Sequence, residues 1–410
     1  MKSKILSVIL VMVLFITSYM PASVVRASEI DNVDSCAMDY LENKEIINND
    51  VKIKTFYLNG SVSAALTVNG DLYCWGKNDC GQVGNGSTEY QYTPVKVLED
   101  VKDFYSNYNA ISAAITTNGD LYCWGKNGYG QVGNGATADQ YTPVKVLENV
   151  EKFYFYYDTS VRTSAAITTN GDLYCWGYNG CGQVGNGATA DQYTPVKVLE
   201  NVKNFYGDGC DNTSVAITIN GDLYCWGDYR VNSSSTAPQL TPAKVLENVK
   251  NFYGDGCGNR SVAITINGDL YCWGDNTFGQ VGNGSTEYQH TPVKVLENVK
   301  DFYFDSVNSV AITTNGDLYC WGYNLYGEVG NGTTDTQYTP AKVLENVKEF
   351  YSSYYLSAAI TTNGDLYCWG NSVGKRSTVY QYTPVKVLEN VKKFYGYGAA
   401  HRSAAITTNR

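Results

Sequence analysis

The chain has 410 residues, of which 43% are hydrophobic, 13% aromatic and 17% charged. So many core-forming residues in so long a chain exclude a wholly disordered protein. The formal net charge is −10; Lys2, Lys4 and Arg26 are the only charges in the first 27 residues, so the remainder carries −13. DNA or RNA binding needs a basic surface, so nucleic acid is disfavoured as a partner.

In chain order, Lys2 and Lys4 precede an uncharged apolar run from Ile5 to Ile16, broken only by Ser7, and Val25-Arg26-Ala27 stands before Ser28. This layout predicts a secretory signal peptide over residues 1–27, cleaved rather than kept as an anchor, because the run is short for a spanning helix of about 20 residues. Cys36 follows Val33-Asp34-Ser35, and the acid there argues against lipid attachment. No later stretch is long and apolar enough to span a bilayer. The expected mature chain is therefore soluble, free of the membrane, secreted or otherwise extracytoplasmic. Residues 28–50 are polar and acidic and read as a linker or loose cap. Leu41-Glu42-Asn43 faintly echoes a corner of the repeat described next.

From residue 51 the chain repeats itself. YCWG occurs seven times, around Trp75, Trp124, Trp176, Trp226, Trp273, Trp321 and Trp369, at spacings of 47 to 52 residues. Periods of this size signal propellers or solenoids. The units span about 51–100, 101–149, 150–201, 202–248, 249–298, 299–346 and 347–390, with a partial unit at 391–410.

Each unit reads as four strands, A to D. In the second, strand A is Val101 to Tyr105, strand B the Ala-Ala-Ile-Thr-Thr segment, strand C Asp120 to Gly125 and strand D Thr142 to Leu147. Asn118-Gly119 predicts a two-residue B–C hairpin turn with positive φ at both positions. Pro143 at the start of strand D is tolerated there. No sustained 3.6-residue apolar period occurs, so helix should be scarce. Leu121 and Cys123 alternate with Tyr122 and Trp124, so both faces of strand C are apolar and both need covering. A blade packed between two blades meets that need, and each buried Trp there is worth at most roughly 5 kcal/mol. The expected fold is all-β: a seven-bladed β-propeller of four-stranded antiparallel blades with an extra terminal half-repeat. That half-repeat, Tyr395 to Thr408, either helps to close a seven-blade ring or forms a partial eighth blade. Units four and seven are short between Trp226 and Pro242 and between Trp369 and Pro384.

Asp-Leu-Tyr-Cys-Trp-Gly followed by Asn-x-x-Gly-Gln-Val-Gly-Asn-Gly resembles the RCC1 repeat of the regulator of chromosome condensation family. Residues 78–86, 127–135, 179–187 and 276–284 carry the second motif in full, and residues 324–332 carry it with Glu328 for Gln. The resemblance covers about residues 51–408 and implies a seven-bladed propeller; the chain is read as a secreted, bacterial-type member. The family often has His before the Ser/Thr-x-Ala-Leu of strand B, where this chain has Val62, Ile111, Thr163, Thr213, Arg260, Asn308, Leu356 or Arg402. The family's nuclear exchange factor acts on a small GTPase through an inserted wedge; no such insertion is present here, so that activity carries over poorly. Other members bind partners through loops, and none of their contact residues can be matched.

Residues that could carry chemistry have structural readings. Gly-Tyr-Gly-Gln-Val-Gly-Asn-Gly at 128–135 contains G-x-G-x-x-G, but no helix pattern follows, so it reads as a turn. The strand C cysteines Cys74, Cys123, Cys175, Cys225, Cys272, Cys320 and Cys368 should be buried, reduced thiols. At about 10 Å from a seven-fold axis, equivalent atoms of neighbours exceed the roughly 7 Å that a disulfide spans. Cys210 and Cys257 lie in matching Gly-Asp-Gly-Cys stretches and form the candidate disulfide, which export permits. Cys80 and Cys181 occupy the slot of Tyr129, Phe278 and Tyr326 and read as packing, as does His290 in the slot of Tyr92 and Tyr141. C-x-x-C metal spacing is absent, and no catalytic residue, cofactor or metal site is expected. The recurring Asp71, Asp120 and Glu148 types read as a solvated acidic rim.

In an A-B-C-D meander the A–B and C–D connections share one rim, and the B–C turns and D–A corners the other. The second is nearly the same in every unit; the first varies and holds Tyr108, Tyr156, Tyr157, Tyr354, Tyr355 and Tyr397. These tyrosines are the expected binding residues, because an exposed Tyr combines rigid contact area with a hydroxyl. The expected function is non-enzymatic capture of an extracellular protein, such as a secreted enzyme that is inhibited, by a monomer. A cell-surface polysaccharide is the second expected ligand; the different-class alternative is an RCC1-like exchange or regulatory role, and an enzyme comes third.

Overall fold

A computed structural model describes residues 25–26, 52–59, 62–107, 110–155, 162–208, 212–228, 238–254, 260–304, 307–353, 356–371, 380–397 and 402–407. All regular structure in these residues is strand. Seven four-stranded antiparallel sheets follow the chain in A-B-C-D order, and a two-stranded hairpin, Val391–Tyr397 with Arg402–Thr407, ends it. The first sheet gains a short fifth strand, Val25–Arg26, paired with Phe56 and Thr55. The remainder of residues 1–50 lies outside the described residues.

The second sheet shows how sequence becomes blade. Its strands are Val101–Ser106, Ile111–Thr116, Leu121–Gly125 and Gln140–Leu147. Ser112 stands opposite Trp124 and Ala113 opposite Cys123. Strand B is buried throughout, and strand C everywhere but Tyr122, which is half-buried. Register shifts between Val101 and Asp103, and again along strand D, mark bulges that raise local twist.

The B–C connection differs from the expected two-residue turn. Gly119 has φ +86°, whereas Asn118 is absent from the positive-φ residues. The Gly119 amide donates to the Thr116 carbonyl at 3.0 Å and the Thr116 amide to the Asp120 carbonyl at 2.9 Å. This is a longer hairpin loop, with Thr117 and Asn118 central and only Gly left-handed, a form favoured by strand twist as well. Left-handed asparagines recur at the D–A corners instead: Asn149, Asn201, Asn248, Asn298, Asn346 and Asn390 have φ between 57° and 58°.

The chain divides into two compact units, 1–214 with 240–242, and 215–239 with 243–410. In the first, Ile111, Ile115, Leu121 and Cys123 of one sheet pack with Val150, Phe153, Ala166 and Trp176 of the next. In the second, Ile264, Leu270 and Cys272 meet Val299, Phe302, Ala311 and Trp321 in the same way. Trp124, Trp176, Trp273, Trp321 and Trp369 are buried between sheets, as the strand pattern predicts; Trp226 is buried and Trp75 half-buried.

Six of the strand C cysteines, Cys74, Cys123, Cys175, Cys272, Cys320 and Cys368, are buried free thiols. Burial pushes all six up, Cys272 and Cys368 to about 12. Cys225 corrects the expectation of seven reduced thiols: it is disulfide-bonded. The spacing argument compared only equivalent strand C positions, and Cys225 reaches a partner that is not among them. Cys210 and Cys257 lie outside the described residues, so the candidate pair is not placed.

Candidate functional site

Of the expected binding tyrosines, Tyr108, Tyr156, Tyr157, Tyr354 and Tyr355 lie outside the described residues. Tyr397 ends the strand Val391–Tyr397, opposite Arg402. The described part of this rim is built instead from the Gly-rich C–D loop and the first residues of strands B and D.

Asn127 organises the loop of the second sheet. Its amide nitrogen donates to Asn134 Oδ1, the Ala136 carbonyl and the Ala138 carbonyl at 2.9 to 3.2 Å, and its Oδ1 accepts from the Val132 amide at 2.9 Å. Asn78, Asn179, Asn276 and Asn324 repeat this knot. The loop is therefore preorganised by its own side chain, which satisfies backbone groups that no strand pairs.

The glycines in that loop seat neighbouring aromatics. A methyl at Gly130 would lie 2.4 Å from the Tyr193 ring, and one at Gly133 would lie 2.6 Å from Trp176 Nε1. Both glycines have positive φ. The Gly-rich run is thus a structural turn, as its sequence context suggested, and also a saddle for rings of the following sheet. Tyr141, Tyr193, Tyr338 and Tyr382 each lie on such a glycine, and each keeps about 40% of its surface exposed.

Around these seats the sheets differ. Arg162 stacks 4.1 Å above the Tyr129 ring, which meets Tyr178 edge-on at 5.5 Å. Such a cation–π contact holds a charged group at a fixed place on the rim. Arg260 is almost fully buried; its Nη2 donates to the Asn308 carbonyl at 3.0 Å and Ser309 Oγ at 2.8 Å, and its guanidinium lies 4.9 Å from the Phe304 ring. Tyr326 lies 5.5 Å from Tyr380, which stacks on Tyr382 at 6.3 Å. Tyr90 and Tyr92 pair at 4.5 Å, as do Tyr288 and His290. Sequence reasoning passed over these residues because their slots recur in every unit. The signal that could have found them was the doubled aromatic in Tyr90-Gln-Tyr92 and Tyr380-Gln-Tyr382.

The other rim is uniform but not simply solvated. Lys145 bridges Asp120 at 2.9 Å and the corner Glu148 at 2.8 Å. Lys96, Lys197, Lys244, Lys294, Lys342 and Lys386 repeat that arrangement. Each pair of acids therefore shares one strand D cation, which ties turn to corner.

The model of the regulator of chromosome condensation (RCC1) repeat matches residues 69–114, 118–155, 267–311 and 315–360, and a second RCC1 repeat model matches 160–183. Human WBSCR16 is 21% identical with a TM-score of 0.45, over 73% of this chain and 84% of that one. Saccharomyces cerevisiae Prp20p, studied for its binding to Gsp1p and histones, is 22% identical with a TM-score of 0.45, over 75% of this chain and 79% of that one. RCC1 repeats are thus found over these residues, and the seven four-stranded sheets with their terminal hairpin fit the seven-bladed β-propeller that such repeats imply.

Proposed function

We propose that this propeller of RCC1 repeats is a non-enzymatic binding scaffold, exported after loss of residues 1–27, that captures a protein partner as a monomer. The partner, such as a secreted enzyme held inactive, docks on the rim of A–B and C–D connections. The observation that carries this reading is the contrast between the rims. One repeats a single Asp–Lys–Glu bridge seven times, as at Asp120, Lys145 and Glu148. The other sets different aromatic and Arg groups around recurring glycine seats, as at Arg162 with Tyr129 and at Tyr380 with Tyr382. Rigid Tyr faces and Arg are favoured at protein interfaces.

The test is a pull-down from culture supernatant with the mature chain. Tyr129→Ser with Arg162→Ala, and separately Tyr156, Tyr157, Tyr354 and Tyr355 all to Ser, should each reduce capture with the fold intact. Undiminished capture by both variants would remove the rim from the function. The matched RCC1 repeats favour a second reading, an RCC1-like exchange or regulatory protein. Accelerated nucleotide release from a small GTPase would support it over the first. The exposed ring pairs favour a third, a cell-surface polysaccharide ligand, and competition of capture by soluble glycan would single it out.

A further inference from the structure

The seven B–C turns are a repeated chemical experiment. Each contains Asn-Gly, the pair in which the Gly amide nitrogen is least shielded from the Asn side chain. In every turn the Gly amide donates to the preceding Thr carbonyl, at 2.8 to 3.1 Å. The attacking nitrogen is therefore held alike in all seven. The asparagine is not.

In four turns the side chain is tied down. Asn118 accepts from Thr116 Oγ1 at 2.5 Å and donates to Asp120 Oδ2 at 3.2 Å. Asn170 is held by Thr168 and Asp172, Asn315 by Thr313 and Asp317, and Asn363 by Thr361 and Asp365. In the other three, Asn69, Asn220 and Asn267 are exposed and make no such bonds among the described residues. There the Thr hydroxyl accepts the Asp amide, as at Thr67, Thr218 and Thr265, and at Thr218 also donates to the Asp222 carbonyl at 3.4 Å, but in none of the three does it hold the Asn side chain. These three turns carry exposed Val68, Ile219 and Ile266 where the others carry Thr. The Asn-Gly pairs of the C–D loops are also tied, as at Asn134, whose Oδ1 accepts from Asn127 and from the Ala136 amide.

We propose that Asn69, Asn220 and Asn267 are sites of spontaneous deamidation, and that Asn118, Asn170, Asn315 and Asn363 are protected by their side-chain bonds. In the step, the Gly nitrogen gives its proton to hydroxide and bonds to Asn Cγ. The Cγ–Nδ2 bond breaks and ammonia leaves. Water then opens the succinimide to Asp or isoAsp. The reaction needs only water and base. Rotating Asn118 toward Gly119 first requires breaking two hydrogen bonds, whereas Asn69 rotates without that cost. Each event adds a negative charge beside Asp71, Asp222 or Asp269, whose lysines Lys96, Lys244 and Lys294 already serve two acids.

The test is peptide mapping of Asp and isoAsp after incubation of the folded chain at mildly alkaline pH. Asn69, Asn220 and Asn267 should convert at least about fivefold faster than the four tied asparagines, a ratio set by the net worth of one hydrogen bond. In urea all seven should converge. Thr116→Val, which removes the hydroxyl at nearly constant volume, should raise conversion at Asn118 and leave Asn69 unchanged. Equal rates at all seven sites in the folded chain would overturn the proposal, as would a difference that persists in urea. The first two measurements do not depend on the variant folding.

Discussion

The backbone carbonyl of Gln82 accepts two bonds from the next sheet: the indole N–H of Trp124 at 3.0 Å and the hydroxyl of Ser112 at 2.8 Å. Gln131 does the same for Trp176 and Ser164, and Gln280 for Trp321 and Ser309. The tryptophan is therefore more than apolar filler. It is the donor that joins strand C of one blade to the C–D loop of the blade before.

Trp273 tests that bond, because its buried Nε1 has no hydrogen-bond partner among the described residues. Unit four lacks the Gln-Val-Gly stretch that supplies the acceptor elsewhere. Trp321→Phe leaves the Gln280 carbonyl short of a donor, whereas Trp273→Phe relieves a buried N–H. Both lose volume, but Trp321→Phe should cost about 1 kcal/mol more. Urea unfolding of the two variants measures the difference, and equal midpoint shifts would contradict it.

Gly84→Ala should be strongly destabilising. The residue has φ +89°, and an added methyl would lie 2.7 Å from Trp124 Nε1 and 2.8 Å from Val97. Left-handed strain and the clash together should cost at least about 2 kcal/mol. Gly128→Ala is the control, since its methyl would meet nothing within 4 Å. Thermal unfolding should separate the two variants by several degrees.

Alkaline pH should unfold the protein through its own core. Cys272 and Cys368 are raised from 9.0 to about 12, and Tyr154 from 10.0 to about 12, in each case chiefly by burial. A raised acid keeps its full stabilising effect below its unfolded value and loses it as pH rises through the folded one. Stability should hold to about pH 9 and then fall toward pH 12. Tryptophan fluorescence during an alkaline titration would check this. A flat signal to pH 12 would refute it.

Cys225 should resist alkylation in denaturant without reductant and react once reductant is added, because it is disulfide-bonded. Cys123 and Cys320 should react under both conditions and stay inert in the folded chain, where they are buried free thiols. Peptide mass mapping distinguishes the three states.

The strands and the wedge role of Trp124 were legible because they rest on local rules repeated seven times. Alternation with period two demanded two covered faces, and Asn149 closed strand D at its corner, whereas the strand begins at Gln140 and holds Pro143 inside it, two residues before the start expected at Thr142. What the residues alone could not convey was which atoms meet across sheets. The Asn-Gly hairpin is an example: the pair permits two turn forms, and strand twist with the Thr116 carbonyl selected the one with a single left-handed residue. The seating of Tyr193 on Gly130 and the stacking of Arg162 on Tyr129 likewise join residues far apart in the chain. Local pattern settles conformation and burial, because both follow from a residue's nearest neighbours. Partnership depends on how folded blades stack, and no single repeat carries that information.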